Sequence, residues 1–268
     1  MNPFDISALL DFYDEACMLA VLMARLLAFF MLLPAFSGVA VPNYVKVGLA
    51  LASSILMLPY ANEWNMAYDD TAPGFAILVL QEFFTGFVLG FIIYLIFNLI
   101  YFIGQLIDYQ IGFSMVSVFD PITQIQAPIA GNLFYMAACA ILIQTGGLHA
   151  FIILIFKSYG IIPPGSAIIV GNGPLVKQIV DLLLSFMVLS VSLSMPIVGA
   201  ILILDAAMGL LVKTAPQMNI FVVGIPIKLL AGLALMLAIS PMAKDIADAC
   251  FGEAYGSVLQ ALRQMAPQ

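Results

Sequence analysis

The chain has 268 residues, is 64% hydrophobic, and carries 8 Lys and Arg against 15 Asp and Glu, for a formal net charge of −7. An ordinary soluble domain is roughly 45–50% apolar and about 25% charged; this chain is only 9% charged, so no fold could cover its core with a hydrated surface, and a soluble globular protein is excluded. Nucleic-acid binding is also unsupported, because neutralising phosphates takes clustered Lys and Arg and no basic run occurs.

The chain begins MNPFDISALLDFYDEA, with Asp5, Asp11, Asp14 and Glu15 and no basic side chain. A cleavable signal has a positive front and a short apolar core, so the first segment is expected to stay in the protein. A bilayer core of about 30 Å takes roughly 20 helical residues. Apolar runs of that order lie at about 16–36, 44–61, 74–103, 127–157, 178–211 and 219–243. They predict an all-α integral membrane protein with about six long, kinked apolar helices. The third, fourth and fifth runs exceed an upright crossing, which implies tilt, a kink, or helix continuing outside the lipid. Pro196 is expected to kink or split the fifth by removing a backbone donor. Lys46 and Lys213 share one side and the acidic N-terminus and the 62–73 loop the other, which favours an outside N-terminus. Lys157, Lys177, Lys244 and Arg263 would then also lie outside, so the residues alone leave the opposite orientation open.

Arg25, Glu82 and Asp205 fall within apolar runs. A charge at the centre of a membrane helix costs on the order of 2.5–3.5 kcal/mol even on lenient scales. Two readings fit: an ion or proton pathway, or an interhelix pair such as Arg25 with Glu82. Gly86-x-x-x-Gly90 is the small-residue spacing that lets two helix backbones touch. His149 is the single histidine, and a metal site takes three or four convergent ligands; it reads as a helix-end histidine. Neither HExxH nor GxSxG occurs, so catalysis has no visible apparatus. Cys17, Cys139 and Cys250 lie far apart and read as small buried hydrophobes.

The stretch from Gly104 to Pro128, GQLIDYQIGFSMVSVFDPITQIQAP, carries Phe113, Met115, Val116, Val118 and Phe119 with Asp108 and Asp120 as its charges. A water-exposed loop would be polar, yet irregular backbone cannot face lipid. Both constraints are met by a segment buried in protein or lining a cavity at membrane depth. Such a segment either seals a passage or fills space between helices. A second polar cluster runs Lys213, Thr214, Ala215, Pro216, Gln217, Met218 and Asn219, followed by Gly224, Pro226 and Lys228. It marks the turn of a helical hairpin, either a docking point or a simple tight turn.

These residues resemble the FliR/SctT family, the R-type subunit of the export gate in bacterial type III secretion. The likeness runs from RLLAFFMLLPAFSGVAVP through Glu82-x-x-x-Gly86-x-x-x-Gly90, GQLIDYQIGFSMVSVFDP and GGLHAFIILIFKSYGIIPPG to LDAAMGLLVKTAPQMNIFVVGIPIKLLAGL. The GF…FDP and APQMNIFVVGIPIK blocks are its specific parts. The PQMNIFVVG form looks more like the flagellar than the injectisome branch. An arginine often precedes the APQ block in the family; Lys213 here keeps the charge without bidentate pairing.

The resemblance implies a FliP-like part over 1–175, with the plug loop at about 104–128, and a FliQ-like hairpin and C-terminal tail over 176–268. It places the pore plug on Gly112, Phe113, Ser114, Met115, Val116, Ser117, Val118 and Phe119. It places the cytoplasmic turn and partner contact on Lys213, Pro216, Gln217, Asn219, Pro226 and Lys228. The implied partners are FliP-type and FliQ-type gate subunits, a FlhB-type subunit, unfolded export substrates in transit, and membrane lipid, with no nucleic acid. The implied setting is the bacterial inner membrane at the flagellar basal body. Neither enzyme activity nor a cofactor is implied, and with no phosphate loop the energy must come from elsewhere in the apparatus. The rival reading is a secondary transporter of a small solute using Glu82 and Asp205, against which no internal repeat is found.

Overall fold

The computed structural model describes residues 6–37, 41–61, 71–113, 128–168, 171–215, 217 and 219–267. Among these residues all regular structure is helical. Helix α1 spans Ile6–Leu32, the short α2 Pro34–Ser37, α3 Asn43–Ala61 and α4 Ala72–Ile111. Next come α5 (Ile129–Gln144), α6 (Gly147–Ile161), α7 (Gly173–Thr214) and α8 (Ile220–Ile239). A 3-10 turn at Ser240–Met242 leads into α9 (Ala243–Met265).

The helix ends follow from local chemistry. Pro34 bars its preceding residue from continuing α1. Gly112 at φ +92° stops α4, with the Gly112 and Phe113 N–H groups both donating to the Asp108 carbonyl at 3.1 and 3.2 Å, as left-handed helix caps do. Gly146 at φ +74° separates α5 from α6. Asn172 caps α7, its side-chain oxygen accepting the Leu175 N–H at 3.0 Å. Helix α7 runs through Pro196 without interruption, so the expected split does not occur; membrane helices tolerate the lost donor.

All six expected apolar segments are helical, and the all-α membrane architecture holds. Among the described residues four stretches are long and apolar enough to cross a membrane: Tyr13–Leu32, Ala72–Ile111, Gly173–Thr214 and Val222–Met242. The broken pair α5 and α6 makes a fifth if it counts as one span. Helix α3, which carries Lys46 and Pro59, is not among them. Helix α9 was expected only as a tail. It is 23 residues long, with Ala247, Cys250, Ala254, Val258, Ala261, Leu262 and Met265 buried along one face and Lys244, Asp245, Asp248, Glu253 and Arg263 exposed. Its modest hydropathy hid it from a search for apolar runs.

The chain divides into two compact units. The first comprises residues 1–94, 146–180 and 253–268. Its core is built from Leu22, Leu26 and Phe29 of α1, Leu89 and Ile92 of α4, and Phe151, Leu154 and Tyr159 of α6. The end of α9 is tied in by hydrogen bonds from the Ile168 N–H to the Met265 carbonyl at 3.0 Å and from Gln178 to the Ser257 carbonyl at 2.9 Å.

The second unit comprises residues 95–145 and 181–252. It holds the end of α4, helix α5, most of α7 and all of α8. Val188, Ile203, Leu230 and Leu237 on this hairpin are each more than two-thirds exposed. Apolar side chains in such numbers cannot face water, so lipid or other subunits must cover them.

Candidate functional site

Within the first unit, Arg25 and Glu82 are fully buried and bound to each other. Helices α1 and α4 each supply one member. The guanidinium donates to the carboxylate twice, Nε to Oε2 at 2.7 Å and Nη2 to Oε1 at 3.0 Å. Its Nη1 donates to the Ser158 hydroxyl at 3.2 Å and to the Ile162 carbonyl at 3.0 Å. Its face lies 4.2 Å from the centroid of the Tyr159 ring, whose hydroxyl donates to the Leu22 carbonyl at 2.8 Å. Glu82 Oε1 also accepts the Gly165 N–H at 2.9 Å. All three guanidinium nitrogens and both carboxylate oxygens are hydrogen-bonded within the protein. Of the two readings open for Arg25 and Glu82, the geometry is that of the interhelix pair.

The glycines of α4 make that pair reachable. A methyl group at Gly86 would lie 2.9 Å from the Arg25 Cα and closer still to its carbonyl oxygen. One at Gly90 would lie 3.0 Å from the Leu32 Cβ and 3.2 Å from the Phe29 carbonyl oxygen. The two helix backbones therefore touch at Gly86, as the small-residue spacing suggested.

Within the second unit, α4 continues as helix to Ile111, eight residues beyond Ile103, the end of the apolar run. Ile103, Ile107 and Ile111 fall on one buried stripe, and that periodicity keeps the chain helical. The loop expected from Gly104 thus starts at Gly112. Gly112 and Phe113 are half-buried in the capping turn. The remaining plug candidates Ser114, Met115, Val116, Ser117, Val118 and Phe119 lie outside the described residues.

Asp108, noted in the sequence only as one of the loop's charges, is 5% exposed. Its carboxylate accepts the Ala130 N–H at 2.9 and 3.0 Å and the Gly131 N–H at 3.2 Å, at the start of α5. One turn earlier, a methyl at Gly104 would collide with the Gly131 backbone, 2.5 Å from its nitrogen.

Asp205 of α7 pairs with Lys228 of α8, each about a third exposed. The Gln110 amide donates to Asp205 Oδ2 at 3.3 Å. Ile111, 1% exposed, fills the notch left by Gly232, where a methyl would meet its side chain. Asp205 therefore has a cation of its own, a partner sequence reasoning did not assign. The hairpin turn is shorter than expected, since Thr214 ends α7 and Ile220 opens α8. Lys213, Gln217 and Asn219 are exposed at this turn; Pro216 lies outside the described residues. Pro226 and Lys228 belong to α8, because neither proline nor glycine there interrupts the apolar helix.

His149 is exposed in the first turn of α6. Cys250 is buried but Cys17 and Cys139 are only half-buried. Among the described residues no group of three or more His, Cys, Asp or Glu side chains is placed to hold a metal ion.

The chain is helical, with stretches apolar enough to cross a membrane, and the three charges within its apolar runs, Arg25, Glu82 and Asp205, are paired inside the protein. The sequence model of the bacterial export proteins, family 1, matches residues 16–254, and the chain belongs to that family. It is 27% identical over 245 residues to the flagellar biosynthetic protein FliR of Escherichia coli (strain K12), covering 90% of this chain and 91% of that one. It is 27% identical over 214 residues to FliR of Bacillus subtilis (strain 168), covering 80% and 82%. It is also 29% identical over 198 residues to the surface presentation of antigens protein SpaR of Salmonella typhimurium, covering 72% and 74%. The family likeness read from the residues is borne out.

Proposed function

We propose that this chain is the R-type subunit of a flagellar type III protein export gate, a passive part of a protein-conducting pore needed for flagellum assembly. The observation that carries the reading is the family match, which spans nearly the whole chain and includes flagellar relatives among the proteins it resembles. The exposed apolar hairpin supports it, since a subunit meant for assembly has surfaces that only lipid or neighbours can cover. In this reading residues 1–175 are FliP-like and 176–268 form the FliQ-like hairpin with its C-terminal helix. The neighbours are FliP-type and FliQ-type subunits, with a FlhB-type subunit at the cytoplasmic turn around Lys213, Gln217 and Asn219. The protein sits in the inner membrane with its N-terminus outside and works without chemistry of its own.

Gly112 to Phe119 form the plug in this reading, and unfolded export substrates pass when it moves aside. Phe and Met side chains exclude water, so a constriction lined by them blocks ions by dewetting. Replacing Phe113 and Phe119 together by Ala should leave assembly intact and raise ion leakage through the complex in planar bilayers. Unchanged conductance in an assembled gate would falsify the plug. The solute-transporter reading loses its main support, because Glu82 is committed to Arg25 and Asp205 to Lys228.

A further inference from the structure

Five helices of the second unit surround an apolar cavity of about 60 Å³. Helix α4 contributes Ile103 and Ile107, α5 Ala138, α7 Ile197 and α9 Ala247, each less than a tenth exposed. Ala138 and Ala247 end at Cβ, and the volume a longer side chain would take is left to the cavity. Its mouth is the turn from α8 into α9. Of the lining residues Ser240 alone is exposed, and its hydroxyl is the single polar side-chain group on the wall. That hydroxyl donates to the Leu237 carbonyl at 2.9 Å. A buried water takes about three hydrogen bonds, which such a wall does not offer, so the cavity suits aliphatic matter. Its volume equals roughly four to six water-sized spheres of about 10–15 Å³, room for a run of about as many methylenes. Ser240 lies close to the end of Val222–Met242, a stretch long and apolar enough to cross a membrane, so a chain entering there comes from the headgroup level of a bilayer. Lys244, Asp245 and Asp248 are exposed in the first turns of α9, opposite charges matched to the phosphate and the ammonium of one headgroup.

We propose that this cavity holds the end of one acyl chain of a zwitterionic phospholipid whose headgroup rests on the turn between α8 and α9. Lipid tails are as apolar as the cavity wall, so the gain on entry is packing contact, which an unfilled void forfeits. The bound lipid fastens the start of α9 to the bilayer. The site is independent of the pore and its plug.

The test places the full chain in phosphatidylethanolamine bilayers, both alone and with the FliP-type and FliQ-type subunits, so that a failure to assemble leaves it intact. A fraction of the phosphatidylethanolamine carries a diazirine at the end of one acyl chain, and the adducts formed on irradiation are mapped by peptide mass. Adducts should appear on Ile103, Ile107, Ala138 and Ile197, which lipid on the outer surface cannot reach. Moving the diazirine next to the headgroup should shift the cavity adducts to Ser240 and Ile246. Ala138→Leu and Ala247→Leu should each abolish the adducts on Ile107 and Ile197 and leave those on exposed residues unchanged. If neither variant folds, the wild type decides: cavity adducts that do not shift with the position of the diazirine overturn the proposal. Adducts confined to exposed residues such as Val188 and Leu230 overturn it too. Cavity adducts that form in the chain alone and vanish in the complex assign the cavity to a neighbour's side chain and also overturn it. Equal labelling by a phosphatidylglycerol probe overturns the choice of headgroup.

Discussion

Removing either member of the Arg25–Glu82 pair leaves its partner charged, buried and surrounded by groups oriented to receive it. A broken buried pair typically costs about 3–5 kcal/mol, whereas replacing both members by apolar residues is far milder. Here the double replacement also strands the Ile162 carbonyl and the Gly165 N–H, which the pair now satisfies. Arg25→Leu and Glu82→Leu should each lower the thermal stability of the assembled complex severely, and the double variant should lose clearly less than the sum. Additive losses would mean the two side chains do not act as a unit. Arg25→Lys should recover only part of the stability, since Lys cannot donate to Glu82 in two parallel bonds while also reaching Ile162.

At the scale of elements, glycine sets how closely helices approach. Gly48 has open space around a Cβ, Gly90 has near contacts of 3.0 to 3.3 Å, and Gly86 faces the backbone of Arg25. Backbone cannot swing aside as a flexible side chain can. Alanine at Gly48 should therefore be neutral or stabilising by about 0.5–1 kcal/mol through helix propensity. Alanine at Gly90 should cost modestly, and alanine at Gly86 should cut the yield of folded protein sharply. A Gly86→Ala variant as stable as Gly48→Ala would contradict the backbone contact between α1 and α4.

These elements also mark what a sequence can disclose. The apolar runs gave away the helices because length and hydropathy are local properties, and Gly86-x-x-x-Gly90 gave away a crossing because small residues have few other uses at that spacing. Arg25 and Glu82 were readable as an interhelix pair beside the ion-pathway reading, since buried charges need partners, and only the geometry decides between them. Asp108 was not readable as the cap of α5, because its partners are backbone amides of residues 130 and 131, which leave no trace in side-chain identity. Helix α9 escaped because its mixed composition resembles a polar tail until its buried stripe of Ala247, Ala254, Val258 and Leu262 is laid along 3.6 residues per turn. The Asp205–Lys228 pair was hidden by the same turn that joins α7 to α8, which folds distant positions onto facing sides of a hairpin.

For the whole molecule, the balance of surfaces argues for assembly. The second unit presents Val188, Met195, Ile203, Leu210, Leu230 and Leu237 outward, an apolar surface that lipid or neighbouring subunits must cover. Cognate FliP-type and FliQ-type subunits should therefore be required for the chain to accumulate in the membrane, and its level should fall when either is absent. The most direct measurement is co-expression of this chain with those two subunits, followed by tagged pull-down and native mass determination. The account predicts one stable complex containing a single copy of this chain. A chain that purifies alone, monodisperse and stable, with neither subunit bound, would contradict it.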